Sequence, residues 1–236
     1  MANIIVYDLE TTGLNIQKDK IIEIYLYNIN TNECKHLFID PEITIPPESV
    51  KIHGITNIDL QNNKAVSFKK TIDTIIDFIG EKAYLISHNN IGFDKPFLLT
   101  EMKKIGYNRP SKWKFIDTLH LARFLYNDLL NYKQDTLRNK FNISSSNNHR
   151  ANKDVLDLVK IYLNMVNDLK IKTNNDNLTI KYIYKISKNF VYTKMPFGKH
   201  KNVDLKDIPN DYINWLSQNV FKTNKILKKS FSILQK

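Results

Sequence analysis

The stretch from Asn3 to Glu10, NIIVYDLE, sets the first constraint on the fold. Its β-branched and aromatic run over residues 3–8 reads as a buried strand, which needs other layers packed against it. The strand ends in two carboxylates, Asp8 and Glu10. Side chains two apart on a strand point to the same side, so both face one spot. Like charges held together are unfavourable without a cation or a shared proton. A turn at Thr11-Thr12-Gly13 follows.

The rest of the chain supplies the layers. IIEIYLYNI (21–29) and CKHLFID (34–40), separated by a polar stretch, read as two paired antiparallel strands. Pro41, Pro46 and Pro47 are expected to hold an extended loop before SVKIHGIT. An amphipathic helix is expected over 68–80, a short central strand over 82–89, and a helix over 94–106 ending at Gly106. A strand at 114–117 leads into helical periodicity over 118–130. A further helix over 151–169 has Val155, Leu158, Val159 and Tyr162 on one face. Strands first, then strands alternating with helices, argue for an α/β domain with a mixed sheet. The expected organisation is a domain over 1–170, a linker over 171–180 around the polar run KTNNDN, and a small module over 181–236.

Charge bears on the partner. The 236 residues carry 35 Lys and Arg against 24 Asp and Glu, a net charge of +11. Residues 1–150 account for only +2 of this and residues 151–236 for +9. A cationic tail suits a polyanion, and the absence of a long basic amphipathic helix favours nucleic acid over a membrane surface. With 42% hydrophobic and 25% charged residues the chain is globular rather than disordered. The single cysteine, Cys34, excludes an intramolecular disulfide framework. The start MANIIVYDLETTG lacks a basic region, and no run approaches the roughly 18 apolar residues of a spanning helix. A soluble, cytoplasmic protein is the expectation.

Two more signals carry chemistry. Asp94 follows His88-Asn89-Asn90-Ile91-Gly92-Phe93, and His149 stands five residues before Asp154. Together with Asp8 and Glu10 they make four carboxylates and one histidine. That set offers hard oxygen ligands for two Mg²⁺ or Mn²⁺ ions, and a base. The ordered motifs YDLETTG, IPPESVKIHGIT, HNNIGFDKPFL, FIDTLHLAR and HRANKDV resemble those of the DEDDh 3′–5′ exonucleases, a family that includes the proofreading subunit of bacterial replicative polymerases. The resemblance covers residues 1 to 167. The tail, with its FGK sequence, Asp211-Tyr212 and Trp215-Leu216, is similar to the C-terminal appendage of exodeoxyribonuclease X. The loop between His88 and Asp94 is one residue longer than the commonest family spacing.

The resemblance implies an RNase H-like fold, a mixed five-stranded sheet with helices on both sides. It implies that Asp8, Glu10 and Asp154 hold the catalytic metal, with Asp8 bridging to the second ion. Asp94 then acts in the metal sphere through water, and His149 is the general base. Thr11 and Gly13 would set backbone against the terminal nucleotide, and Leu14 would wedge under its base. His53 and Asn89 would contact the terminal sugar or phosphate, and Phe93 would pack beside the site. In the tail, Lys199, His200 and Lys201 are candidate phosphate contacts. Tyr212 and Trp215, spaced i,i+3, read as core of the small module rather than a stacking platform. The function implied is a metal-dependent 3′–5′ exonuclease that releases 5′-mononucleotides from DNA in repair, processing or proofreading. RNA 3′-end trimming is the alternative with the same chemistry. A non-catalytic scaffold, bound to nucleic acid or a polymerase, has no physical reason to keep four mutually repelling carboxylates.

Overall fold

The first apolar run becomes β1 (Asn3–Thr11), an inner strand of the sheet in the computed structural model, which describes residues 1–126, 129–144 and 151–234. It pairs antiparallel with β2 (Ile21–Asn28), which pairs antiparallel with β3 (Glu33–Asp40). Two parallel strands extend the other side, β5 (Lys82–Ser87) and β6 (Lys112–Asp117). A two-residue strand, β4 (Val66–Ser67), adds to β3 at the edge, giving the order β4-β3-β2-β1-β5-β6. The sheet is therefore mixed, as expected, but with six strands in place of five. Two residues are too few to show an alternation in sequence.

β1 alternates between two cores. Ile5, Tyr7 and Leu9 point to one face, where they meet Phe68, Ile72, Ile75 and Ile79 of α3 (Phe68–Ile79) and Phe97, Leu98 and Met102 of α4 (Asp94–Lys104). Val6 points to the other face. It belongs with Leu121 and Ala122 of α5 (Thr118–Leu125) and with Val155, Leu158, Ile161, Tyr162 and Met165 of α7 (Ala151–Thr173). Helices thus cover both faces, and a strand buried on two sides follows.

Three boundaries depart from expectation. Pro46 and Pro47 do not keep the loop extended. Pro46 caps α1 (Pro47–His53) with extended backbone and Pro47 opens the helix, a position where the absent N–H costs nothing. The short α2 (Asn57–Asn62) follows under a capping box from Thr56 and Asp59. Second, α5 stops at Leu125, and α6 (Gln134–Lys140) comes later. Third, α7 runs into the polar stretch expected as linker, and α8 (Ile180–Asn189) buries Ile183 in the second core. Two compact units divide between Lys188 and Asn189 rather than at 171–180, because apolar residues beyond the polar run, Leu178 among them, pack back onto that core.

The second unit holds its own small core of Met195, Leu205, Ile208, Leu216, Leu227 and Phe231. Its helices are α9 (Asn210–Asn219) and α10 (Lys225–Leu234). Tyr212 packs at the edge of this core. Trp215 does not join it: the residue is 48% exposed, and Leu216 fills the buried position beside it. Among the described residues no helix is long and apolar enough to cross a membrane.

Leu85 on β5 is fully buried between two paired strands. Leu85→Ala is expected to cost about 2–5 kcal/mol, read as a lower urea midpoint. Ile171→Ala, at an exposed position, should shift stability by no more than about 0.5 kcal/mol.

Candidate active site

The carboxylates of β1 sit where the strand begins to leave the sheet. Asp8 pairs with Tyr25 and Glu10 with Glu23, and the register then shifts between Glu10 and Thr11. The cross-strand partner of Glu10 is therefore another acid. Glu23 is 1% exposed; its Oε1 accepts a hydrogen bond from His36 Nε2 at 2.6 Å, and its Oε2 is buried with no partner. Burial, followed by the charges of Asp94, Glu10, Asp154 and Glu23, raises the Asp8 carboxyl well above its ordinary range. Burial and then the charges of Glu23, Asp154 and Asp94 push Glu10 up to about 8.

Asp94 opens α4 and is 2% exposed. Ser87 Oγ donates to its Oδ2, while Oδ1 is buried without a hydrogen-bond partner. Burial pushes this carboxyl up to about 7, with the Ser87 bond opposing the shift. The preceding loop is fixed from beneath by Asp117, the last residue of β6. Its Oδ1 accepts from the amides of Asn89 (3.0 Å) and Leu119 (2.9 Å), and its Oδ2 from Ile91 (2.9 Å). Asn90 completes the anchorage. It accepts from Tyr7 Oη at 2.7 Å and donates to the carbonyls of Leu85 and Ile116 at 3.0 and 2.9 Å.

Asp154, in the first turn of α7, shares a cleft with Asp8, Gln134, Asp135 and Arg138. Arg138 Nη1 donates to Asp154 Oδ1 at 3.3 Å and to Asp157 Oδ2 at 3.4 Å, and Nη2 donates to Asp135. Gln134 Nε2 donates to the Asp154 carbonyl at 2.7 Å. Among the described residues no three His, Cys, Asp or Glu side chains stand close enough to enclose a metal ion by themselves. Two of the four acids are turned to protein partners, Asp94 to Ser87 and Asp154 to Arg138. What unites the four is charge. The donors are hard oxygens, one of them a buried orphan, and the charges of the others add to burial in raising the proton affinity of Asp8 and Glu10, which is the chemistry a divalent cation fits.

The remaining expected residues are spread over the chain. Thr11 is buried, with Oγ1 donating to the Gly13 carbonyl at 2.6 Å. Gly13 is pressed against Asp19: a Cβ there would stand 2.5 Å from Oδ2. Leu14 is 81% exposed, so it is no part of the core. His53 is buried, and its Nδ1 accepts from the Ile55 amide at 3.0 Å. Asn89 is exposed in left-handed backbone, with φ 66°. Phe93 packs against Phe97, ring centroids 4.8 Å apart. Lys199 and Lys201 lie exposed in the second unit. His149 lies outside the described residues.

Residues 5–162 match the RNase T exonuclease family. The chain belongs to that exonuclease family. Residues 184–231 of the chain match a second family, described as a putative quorum-sensing-regulated virulence factor. The DNA polymerase III PolC-type protein of Caldanaerobacter subterraneus subsp. tengcongensis is 28% identical over 98% of the chain, and that of Bacillus subtilis is 34% identical over 70%. The chain spans 15% and 11% of their respective lengths. A solved structure of Exonuclease X in complex with 5′ overhanging duplex DNA shares the fold, with a TM-score of 0.58 at 19% identity over 78% of this chain and 99% of that one.

Several residues that shape the acidic site carry little signal in the sequence. Glu23 had a signal, a charged residue inside the apolar run IIEIYLY. Asn90 and Asp117 lay within recognised motifs without a role. Arg138 and Gln134 had none, because their place beside Asp154 depends on how α6 packs on α7.

An acid whose proton affinity rises on folding keeps its proton in the native state after the unfolded chain has lost it. Native protein then binds more protons, and stability falls as pH rises through that window. For Glu10 the window runs from 4.5 to about 8, and below it the penalty disappears. In EDTA the thermal midpoint of the wild type should therefore decline across this range. Asp8→Asn should flatten the decline and raise the midpoint most at pH 8, and Mg²⁺ should raise the wild-type midpoint alone. Scanning calorimetry checks all three; a wild-type midpoint in EDTA that is level across the window overturns the picture.

Proposed function

We propose that the first unit hydrolyses DNA from its 3′ end and releases 5′-mononucleotides. The observation that carries this reading is the acidic cluster of half-buried Asp8, Glu10 and Asp154 with buried Asp94, carried by three elements whose charges meet at one end of β1. Asp8, Glu10 and Asp154 would hold the metal, and Asp94 would act in its sphere through water. Two divalent ions, Mg²⁺ or Mn²⁺, supply Lewis-acid stabilisation of the attacking and leaving oxygens when bound.

The protein's own groups do the rest. His149 takes the proton of the attacking water, for which its ring must be neutral. His53 offers a donor to the terminal nucleotide: with Nδ1 accepting from Ile55, its proton resides on Nε2, which is buried and unpartnered. A ring that accepts at Nδ1 is neutral, burial lowers its proton affinity in the same sense, and Nε2–H would serve a sugar or phosphate oxygen. Leu14, exposed after the turn, is free to pack beneath a terminal base. Thr11 and Gly13 bring the turn backbone to the nucleotide, while Asn89 and Phe93 border it from the other loop. DNA is favoured over RNA by the relatives, PolC-type DNA polymerases and an exonuclease solved on duplex DNA. The role this supports is 3′-end processing in replication or repair.

The test uses 5′-labelled single-stranded DNA, blunt duplex and RNA with Mg²⁺ or EDTA. A ladder shortening from the 3′ end, absent in EDTA and with Asp8→Ala, is expected, with DNA cut faster than RNA. His149→Gln should lower kcat by about 10²–10⁴-fold, and wild-type activity should rise from acid to mildly alkaline pH. Intact DNA in every lane would overturn the reading.

A further inference from the structure

The second unit exposes a tryptophan, Trp215, that its own core does not use. Trp215 and Tyr212 stand one turn apart on α9, their rings stacked at 5.4 Å with planes 18° apart. Tyr212 is fixed by the loop carrying Gly198, Lys199 and His200. The His200 ring meets it edge-on at 4.6 Å, and Lys199 Nζ lies 5.3 Å from its centroid. Gly198, at φ 74°, runs so near that a Cβ would stand 2.6 Å from the Tyr212 hydroxyl oxygen. The tyrosine is thus a prepared base for the tryptophan, nearly half of which faces solvent while Leu216 serves the core.

The surroundings are cationic. Residues 189–236 contain nine lysines against three aspartates, and Lys199 and Lys201 come from the loop that fixes Tyr212. The acid on α9 is Asp211, in the first turn. A flat ring stacked in place, with lysines on the loop beside it, matches what an unpaired base and its flanking phosphates need: a stacking face and mobile positive charge. A duplex keeps its base faces covered and cannot use such a platform.

We propose that the Tyr212–Trp215 stack is a binding site for single-stranded nucleic acid, in which a base stacks on Trp215 and the adjoining phosphates meet Lys199 and Lys201. The site gives the chain a grip on the strand separate from the residues that would cut it. The inference extends the nuclease reading but does not depend on hydrolysis.

Tryptophan emission tests it directly, because the other tryptophan, Trp113, is buried with Nε1 donating to the Gly80 carbonyl at 2.7 Å. The full chain is titrated in EDTA with oligodeoxythymidylate, with a blunt duplex, and with anionic phospholipid vesicles. Single strands are expected to quench Trp215. Trp215→Leu should abolish the quenching and weaken binding about 5- to 100-fold, with an unchanged circular dichroism spectrum. Trp215→Tyr should retain most of the affinity. Binding of the oligonucleotide without quenching overturns the proposal, as does wild-type affinity in Trp215→Leu, equal quenching by duplex, or a response to vesicles alone. Cleavage plays no part in this assay, so loss of the exonuclease reading would show in the ladder experiment and not here.

Discussion

Repulsion among buried carboxylates is the constraint to which the rest of this structure answers. Asp8, Glu10, Glu23 and Asp94 lie near one end of β1; burial first and neighbouring acids second raise the proton affinity of Asp8 and Glu10, and burial raises that of Asp94. In a flexible chain these groups would separate. Here β1 is paired on both sides, antiparallel to β2 and parallel to β5, and apolar residues fill both faces. The acids cannot move apart without breaking strand pairing, so the unfavourable charge is kept by the stability of the sheet. A site of this kind takes up positive charge, as protons or as a divalent cation, wherever it can.

Position matters as much as charge. Asp94 lies beyond a loop that a free chain would leave loose, yet that loop is bound by two backbone amides, of Asn89 and Ile91, to Asp117 and by Asn90 to two strands. Some of these contacts come from β6, far from Asp94 in sequence. The groups that hold the acids are therefore spread more widely than the acids themselves. Rigid support of this kind is what a reactive cluster needs to keep its geometry.

That spread explains what was legible in the sequence. The strand NIIVYD, the same-side pair Asp8 and Glu10 and the buried faces of α3 and α7 all follow from periodicity, which is local. Asp94 and Asp154 came from motif order and resemblance, since an acid at the start of a helix is ambiguous by itself. Tertiary consequences stayed hidden: Glu23 opposite Glu10 depends on strand register, and Arg138 beside Asp154 depends on helix packing. Pro46 and Pro47 were legible as punctuation but read in the wrong sense, because proline ends one element and begins another by the same restriction on φ. Trp215 failed for a similar reason. The spacing of Tyr212 and Trp215 shows that they are neighbours on a helix, and only the packing of Leu216 shows which side of the helix is inside.

Arg138 draws these threads together. It reaches from α6 to Asp154 and Asp157 on α7, and also to Asp135 on its own helix. One guanidinium thereby offsets part of the negative charge at Asp154 and ties two helices that are joined by the segment carrying His149. The planar fork of arginine suits this task because it meets carboxylates in several directions at once. A lysine would supply the charge but not the clasp.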